Sequence, residues 1–370
     1  MKTSIYNLRK AAFTVAVVVF TAGVDLQAAD NTLTPDTATY TIIRVSGAGT
    51  AAYEGTVPLS INPSGVVAGT YWDSNDIAHV FVRAADGTIT TYSAPEAGTT
   101  SGQGTGGCYS INSAGDMACN YVDSDSVFHG LLISSDGTMT PFDPTGSTDT
   151  YPYGINNAGA ISGTYVDSSG VDHGFVRASD GTITTFNASG AGTGSGQGTY
   201  AYFINASGEI TGSYVASTGD ISGFVRGAKG KITEFDVPGA GGTYGYGINN
   251  AGTIAGNSWL AGQGASGMVR VSSGTFTSFN APGAGVGNNF GTVGWAINTG
   301  GTATGWYIDS NTAYHGFEYT ASGTLVQFNG PHAGTGANQG TWPYGINTSG
   351  SIVGTIVTSG NVYVGFIRSK

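Results

Sequence analysis

A repeat of 44 to 50 residues runs through most of this 370-residue chain and constrains its fold more than any other feature. An Ile-Asn pair marks each copy, and the isoleucines of these pairs are Ile61, Ile111, Ile155, Ile204, Ile248, Ile297 and Ile346. Each asparagine begins a four-residue string that ends in glycine, as in residues 156–159. Asparagine at the first position and glycine at the fourth are typical of a tight turn. The repeated asparagines are therefore predicted to be turn residues of hairpins.

Each copy contains four short β-rich runs separated by turn signals. In the copy that includes Ile155, the later runs are residues 160–165, 173–177 and 182–186. This pattern predicts an antiparallel meander of four strands, which we name a, b, c and d. No segment after residue 29 shows an amphipathic helical period of useful length, so we expect an all-β chain.

The two ends of the chain favour a ring over a solenoid. The last copy ends at Lys370 without a strand d, whereas residues 40–49, ahead of the first copy, align without gaps on the strand d segment 183–192. A leading strand d can complete the last sheet and close a circle, while a solenoid would need polar caps at both ends. The sequence therefore predicts a seven-bladed β-propeller with four-stranded antiparallel blades, its last blade closed by the N-terminal strand.

The first 29 residues have the features of a secretory signal peptide. Lys2, Arg9 and Lys10 form a basic start, an apolar stretch covers residues 11–23, and small residues lead to Ala29. A stretch of about 13 apolar residues is too short to span a bilayer, which takes about 20. We expect cleavage near Ala29 and export of the mature chain.

Residues 30–370 are predicted to form one propeller domain. Glycine supplies 63 residues and charged types only 9% of the chain, so the surface is predicted to be mostly glycine, threonine, serine and asparagine. The net charge of −11 argues against a nucleic-acid partner, because such binding needs a basic stripe. No later segment is apolar enough to span a membrane, and we expect a monomer.

Two recurring strings resemble a known family. Gly-Ile-Asn at residues 154–156 and His-Gly-Phe at residues 173–175 and 315–317 are similar to the HAF-type extracellular repeat of bacterial secreted proteins. The resemblance covers nearly all of the mature chain, although Ser222 and Val364 depart from the histidine position of the motif. It implies an exported bacterial repeat protein, in the periplasm or the medium, and transfers no catalytic residue.

Four copies carry an aspartate six residues before the strand c histidine. The pairs are Asp73 with His79, Asp123 with His129, Asp167 with His173, and Asp309 with His315. The other three copies lack both partners, so each pair is predicted to tie one b–c hairpin by a hydrogen bond. Copies on different blades are too dispersed for one zinc site. Calcium is a weaker alternative, because the alternating oxygen side chains lack the glycine and glutamate of a calcium loop; no cofactor is predicted.

Cys108 and Cys119 are the only cysteines, and they lie in strands a and b of one hairpin. In an oxidising exported compartment a disulfide is favoured over two buried thiols. A one-residue bulge in the turn would instead point the two side chains to opposite faces and prevent the bond.

Aromatic residues recur two and four places before the repeated isoleucines, on one face of strand a. The nearer position is predicted to be core. The farther position begins where the strand leaves the d–a loop, so we expect it to be exposed and to serve as a ligand platform. It is occupied by Tyr151, Tyr200, Tyr244 and Trp342.

The d–a loops favour a binding function. The long ones are rich in glycine, threonine, glutamine and asparagine, as in residues 192–198, and surface loops on a rigid scaffold are the usual place for recognition. We expect an exported binding module whose d–a loop rim recognises a glycan or another cell-envelope component, because aromatic faces and a few polar groups line such sites.

Two other functions stay open. A carbohydrate-active hydrolase or lyase would need a carboxylate pair, and Glu54 and Glu96 are the unusual carboxylates of the d–a loops. Nothing in the sequence fixes the separation that a glycosidase requires, so no catalytic residue is assigned. A purely structural surface protein is the third interpretation.

Overall fold

The computed structural model describes residues 36–260 and 262–370; the predicted signal peptide, residues 1–29, lies outside the described residues. Every regular element within these ranges is a β-strand, and 28 strands join in one hydrogen-bonded sheet. The expectation of an all-β chain is thus confirmed. No helix in the described ranges is long and apolar enough to cross a membrane.

The strands follow the sequence repeat, and we number the repeats as units 1 to 7. Unit 1 comprises β2 (Gly55–Ile61), β3 (Val67–Trp72), β4 (Ala78–Arg83) and β5 (Ile89–Tyr92), and unit 2 comprises β6 (Gly104–Ile111), β7 (Met117–Val122), β8 (Phe128–Ile133) and β9 (Met139–Phe142). Unit 3 comprises β10 (Ser147–Ile155), β11 (Ile161–Asp167), β12 (Asp172–Arg177) and β13 (Ile183–Phe186), and unit 4 comprises β14 (Gly198–Ile204), β15 (Ile210–Val215), β16 (Ile221–Arg226) and β17 (Ile232–Phe235).

The remaining units have the same order. Unit 5 comprises β18 (Gly242–Ile248), β19 (Ile254–Leu260), β20 (Gly264–Arg270) and β21 (Phe276–Phe279), and unit 6 comprises β22 (Gly291–Ile297), β23 (Ala303–Ile308), β24 (Tyr314–Tyr319) and β25 (Leu325–Phe328). Unit 7 has β26 (Gly340–Ile346), β27 (Ile352–Val357) and β28 (Tyr363–Ser369), and β1 (Thr39–Ile43) pairs antiparallel with β28 from Thr39 opposite Ser369 to Ile43 opposite Gly365.

One large apolar side chain from strand c anchors the interior of each unit. The seven equivalent residues are fully buried: Phe81, Leu131, Phe175, Phe224, Met268, Phe317 and Phe366. Burial of a side chain of this size contributes about 2 kcal/mol. In six units a glycine precedes it, as Gly174 does in unit 3, where a Cβ would lie 2.5 Å from the Phe186 ring of the next strand. Unit 1 has Val80 at this position. The His-Gly-Phe string is therefore a packing motif.

Neighbouring units are held together by the arginines that end strand c. The guanidinium of Arg226 lies 4.8 Å from the centre of the Phe186 ring in the preceding unit, and Arg368 lies in the same way 4.5 Å from Phe328. Such contacts are attractive because the ring face is electron-rich. The arginine repeat is thus an element of the contact between units.

Arg368 also connects the first described residues to unit 7. Its guanidinium contacts Asp36 at 2.7 Å and Glu318 of unit 6 at 3.2 Å. The side chains of Arg368 and Glu318 are only 3% and 1% exposed, and Lys370 also pairs with Glu318. A buried carboxylate needs such partners because its desolvation is costly.

Candidate ligand-binding site

The d–a loops are fastened to the sheet by a threonine at the start of strand a. In six copies a Gly-Thr pair opens that strand, and the threonine hydroxyl accepts the backbone N–H that follows the preceding strand d. Examples are Thr199, which accepts from Ala188 at 2.9 Å, and Thr341, which accepts from Gly330 at 2.8 Å. The sequence interpretation missed this role, although the recurring Gly-Thr pair is its signal.

The long d–a loops are closed by a second repeated contact. The side-chain oxygens of Gln103, Gln197 and Gln339 each accept the backbone N–H of the residue three places earlier, at 2.9 to 3.1 Å. Glu54 occupies the same place and accepts from the N–H of Ala51 at 2.8 Å. The carboxylate that looked unusual in the sequence is therefore a structural substitute for glutamine.

Glu96, the other weak catalytic candidate, is exposed in a different d–a loop from Glu54. The structure gives Glu96 no hydrogen bond that would orient its carboxylate toward a second acid. These contacts assign no catalytic role to Glu54 or Glu96.

The four Asp–His pairs lie at the b–c hairpins. In each pair the histidine Nε2 is 3.1 to 3.5 Å from the aspartate Oδ2. The other aspartate oxygen caps the turn, as Asp73 Oδ1 accepts the N–H groups of Asn75 and Ile77. Each imidazole also stacks on a strand b tyrosine, with centroids 4.7 to 4.9 Å apart. These contacts account for the joint presence of both residues without a ligand.

His129 differs from the other three histidines because it has two carboxylate partners. Its Nδ1 lies 2.7 Å from Asp143 and its Nε2 lies 3.2 Å from Asp123. Burial lowers the pKa of His129, but the hydrogen bonds to Asp143 and Asp123 outweigh burial and hold this pKa above its usual value. Within the described residues, no group of three or more histidine, cysteine or acidic side chains could hold a metal ion.

The predicted disulfide between Cys108 and Cys119 is present. A bulge does interrupt the pairing of β6 and β7, since the register passes from Gly106 opposite Asn120 to Ser110 opposite Ala118. Residues 107–109 of β6 thus lie opposite a single residue of β7, Cys119. Two extra residues preserve the alternation of side chains, whereas one would have reversed it, so the bulge and the bond are compatible.

The four farther aromatics are partly buried and not exposed as expected. Each lies near the start of strand a, and three of them contact the first residue of strand c in the preceding unit. Tyr151 lies 5.0 Å from Phe128, and Trp342 lies 4.6 Å from Tyr314, between ring centroids. These aromatics therefore form the contact between units on the loop side, with part of each ring accessible.

Tyr200 occupies this position at the boundary of units 3 and 4, where its partner is an acid. The hydroxyl of Tyr200 donates to Asp172 Oδ2 at 2.6 Å. Asp172 is 8% exposed, and burial raises the pKa of its carboxyl to about 6, against the opposing effect of the Tyr200 hydrogen bond. Asp172 therefore titrates near neutral pH.

The nearer aromatics form a connected inner surface. Tyr109, Tyr153, Tyr202 and Tyr246 contact one another in sequence order, with centroids 5.2 to 5.4 Å apart. Tyr246 is buried as predicted and lies 4.8 Å from Trp295 between ring centroids. The other aromatics of this set are only half-buried, so the prediction of a core position holds for Tyr246 and not for them. The side chains of strand a in successive units thus line one common inner space.

The repeated asparagines lie at the other end of this inner space. Each Oδ1 caps its own turn, as Asn205 Oδ1 accepts from the N–H of Ser207 and of Glu209. Each Nδ2 donates to the backbone carbonyl of the asparagine in the next unit at 3.0 to 3.3 Å, and Asn347 of unit 7 donates to Asn62 of unit 1. Their role as turn residues holds, and the contact between units was missed.

The sequence was compared with protein families and curated proteins, and the fold with solved structures. No protein-family model matches the sequence, and no curated protein matches it. A structure of prolyl endopeptidases is similar over 85% of this chain and 48% of its own, with 11% identity and a TM-score of 0.55. TolB from Acinetobacter baumannii is similar over 83% of this chain and 64% of its own, with 12% identity and a TM-score of 0.48.

A third similar structure is the fungal lectin of Aleuria aurantia, reported with a six-bladed β-propeller fold and a fucose recognition mode. The similarity extends over 74% of this chain and 94% of the lectin chain, with 12% identity and a TM-score of 0.42. The present chain spans less than two thirds of the TolB and prolyl endopeptidase structures. At such identities a likeness concerns the fold alone. The strand pairing assigns the described part of the chain to the all-β class.

Proposed function

We propose that residues 30–370 form one closed propeller of seven blades, in which units 1 to 7 are the blades and β1 completes the last. The antiparallel ladder between β1 and β28 supports closure. So does the Asn347 to Asn62 hydrogen bond, which completes the same series that links the inner units. An apolar cluster that joins Val57 and Leu59 of unit 1 to Val357 and Tyr363 of unit 7 is a third support.

We further propose that the protein is exported by a bacterium and belongs with the HAF-type repeat proteins. The signal-like first 29 residues and the recurring Gly-Ile-Asn and His-Gly-Phe strings support this. The Cys108–Cys119 disulfide supports it independently, because structural disulfides persist in oxidising compartments and are rare in the cytosol.

The proposed activity is binding of a neutral glycan, or another envelope component rich in hydroxyl groups, at the d–a loop rim. One observation carries it: partly accessible aromatic rings recur at the unit boundaries, beside loops of glycine, threonine, glutamine and asparagine. Aromatic faces cover the apolar side of a sugar ring, and amide and hydroxyl groups pair with its hydroxyls. A chain with only 9% charged residues has little to offer an ionic ligand.

A glycan array with the mature chain, followed by calorimetry on the best ligand, tests this proposal. We expect saturable binding that weakens at least tenfold in Tyr151→Ala or Trp342→Ala. Tyr92→Ala, which removes an aromatic from the outer strand β5, is the matched control and should bind normally. An array without any saturable signal would refute the glycan proposal.

The same preparation separates binding from catalysis. If bound glycans are cleaved and Glu54→Gln or Glu96→Gln abolishes the cleavage, the protein is a hydrolase or lyase and the binding proposal is wrong. We expect no turnover, and we expect Glu54→Gln to retain the loop, because glutamine makes the same contact in three other loops.

A further inference from the structure

A cavity of about 220 Å³ lies at the boundary of units 5 and 6. Aromatic side chains form most of its wall, among them Tyr244, Trp259, Phe290 and Trp295. Asn257, Asn288 and Asn289 supply amide groups, and no charged residue lines it. The cavity therefore combines apolar faces with neutral polar groups.

The strand register explains why the cavity occurs at this boundary. At three boundaries a bulky first residue of strand c meets the rim aromatic of the next unit, in the pairs Phe128 with Tyr151, Asp172 with Tyr200 and Tyr314 with Trp342. At the boundary of units 5 and 6 the corresponding residues are Ala265 and Val293. Two small side chains leave unfilled the space that larger ones fill elsewhere.

A second boundary, between units 1 and 2, also has small residues, but neighbouring side chains occupy the space there. A Cβ on Gly106 would lie 3.1 Å from Thr70 and 3.6 Å from the Cβ of Ala78. Close approach of the strands thus removes the gap. Small residues alone do not produce the cavity, and its presence at Ala265 is a specific feature of units 5 and 6.

Two residues that line the cavity each carry a buried polar atom without a hydrogen-bond partner. Asn257 is 5% exposed and its Oδ1 accepts no hydrogen bond, while the buried Nε1 of Trp259 donates none. An unsatisfied buried polar group costs about 1–3 kcal/mol. One of these atoms is an acceptor and the other is a donor. Both atoms are enclosed by the protein, and Trp259 Nε1 lies against Gly242, so they lower local stability without contacting a ligand.

We propose that this cavity is a binding site for one neutral sugar residue, with the ring against the surrounding aromatics and the sugar hydroxyls paired with the amide groups of Asn257, Asn288 and Asn289. The inference rests on the proposed glycan binding and adds to the rim one defined site, at Tyr244, one of the four rim aromatics. The absence of charged residues from the wall excludes acidic and basic sugars from the expected ligands.

The test uses the mature chain and a panel of methyl glycosides of neutral hexoses and N-acetylhexosamines. The chain has five tryptophans, so an ¹H–¹⁵N spectrum contains five indole signals, and Trp259→Phe identifies the relevant one. We expect at least one glycoside to shift the Trp259 signal saturably. Calorimetry on that glycoside then gives the affinity of each variant.

Two variants address the cavity and one is the control. Ala265→Tyr fills the space with the residue that unit 6 carries at Tyr314, and Asn257→Leu removes the unpaired acceptor. Both should weaken binding at least tenfold, and Asn257→Leu should raise the urea midpoint because it removes an unsatisfied polar atom. Ser213→Ala removes an unpaired hydroxyl at the same strand position in unit 4, away from the cavity, and should leave binding unchanged.

The outcomes separate this inference from the general proposal. If glycan binding weakens in Trp342→Ala but is unchanged in Ala265→Tyr and Asn257→Leu, the cavity assignment is wrong and the rim proposal stands. If no glycoside and no arrayed glycan binds, both are wrong. Loss of binding in the two cavity variants, with Ser213→Ala unaffected and all three folded, supports the assignment.

Discussion

The buried carboxyl of Asp172 should make the stability of this protein depend on pH in an unusual direction. Its pKa is about 6 in the folded chain, whereas an unfolded aspartate titrates at about 3.9. The folded state therefore binds the proton more tightly. Below pH 4 the Asp172 carboxyl is protonated and does not lower the free energy of unfolding. Its ionisation lowers that free energy progressively between pH 4 and 6, and the loss is complete above this range.

The size of the effect follows from the shift. About two pKa units at 1.36 kcal/mol each correspond to about 3 kcal/mol of lost stability at pH 7.5. Asp172→Asn keeps the shape of the side chain and removes the charge. When the pH rises from 3.5 to 7.5, the free energy of unfolding of this variant should increase by about 3 kcal/mol relative to that of the natural chain.

Urea unfolding of both proteins across this pH range is the assay, and only the difference between them is used, so that other titrating groups cancel. Asp180→Asn is the matched control. Backbone hydrogen bonding to Thr182 lowers the pKa of that exposed carboxyl. The free energy of unfolding of Asp180→Asn should therefore fall, relative to that of the natural chain, as the pH rises. A difference between Asp172→Asn and the natural chain that does not vary with pH would refute the reasoning.

Three further predictions concern individual contacts. Arg368→Met should cost about 3 kcal/mol in urea unfolding, because it removes one of the two cationic partners of the buried Glu318 carboxylate; a cost below about 1 kcal/mol would contradict this. Replacing Cys108 and Cys119 by alanine should lower stability by about 2 to 3 kcal/mol, as for other short disulfide loops, and an unchanged urea midpoint would count against it. The raised pKa of His129 predicts stability that is present below its unfolded pKa and lost as the pH rises through the folded value; ¹H NMR titration should find this pKa above the ordinary histidine value of about 6.5, and a lower value would exclude the two-carboxylate account.

The repeat predicted the strand order well because turn chemistry and strand alternation are local. An Asn at the start of each turn and a Gly at its end are readable from one hairpin, and four strands per copy follow from them. The Asp–His spacing of six residues also fits a single hairpin. Cys108 and Cys119 were paired correctly for the same reason, although the two-residue bulge beside them has no sequence signal that we recognised.

Contacts between units were harder to predict because they depend on how far apart two sheets lie. The asparagine Nδ2 groups reach the next unit, and nothing within one copy indicates this. The rim aromatics were expected to be exposed, yet all four are partly buried, and three of them contact a residue of the preceding strand c, as Tyr151 contacts Phe128. The cavity beside Ala265 likewise depends on which small residues face each other across a boundary.

Closure of the seven units is the claim on which the rest of this account depends, and a designed cross-link tests it most directly. Thr39 and Ser369 are register partners in β1 and β28, 330 residues apart in sequence. Thr39→Cys with Ser369→Cys should form an intramolecular disulfide in the monomer, found by mass spectrometry of proteolysed protein, and should raise unfolding stability by up to about 5 kcal/mol. Thr39→Cys with Ser272→Cys should form none. Absence of the Thr39–Ser369 bond under oxidising conditions, in a folded monomer, would contradict a closed ring.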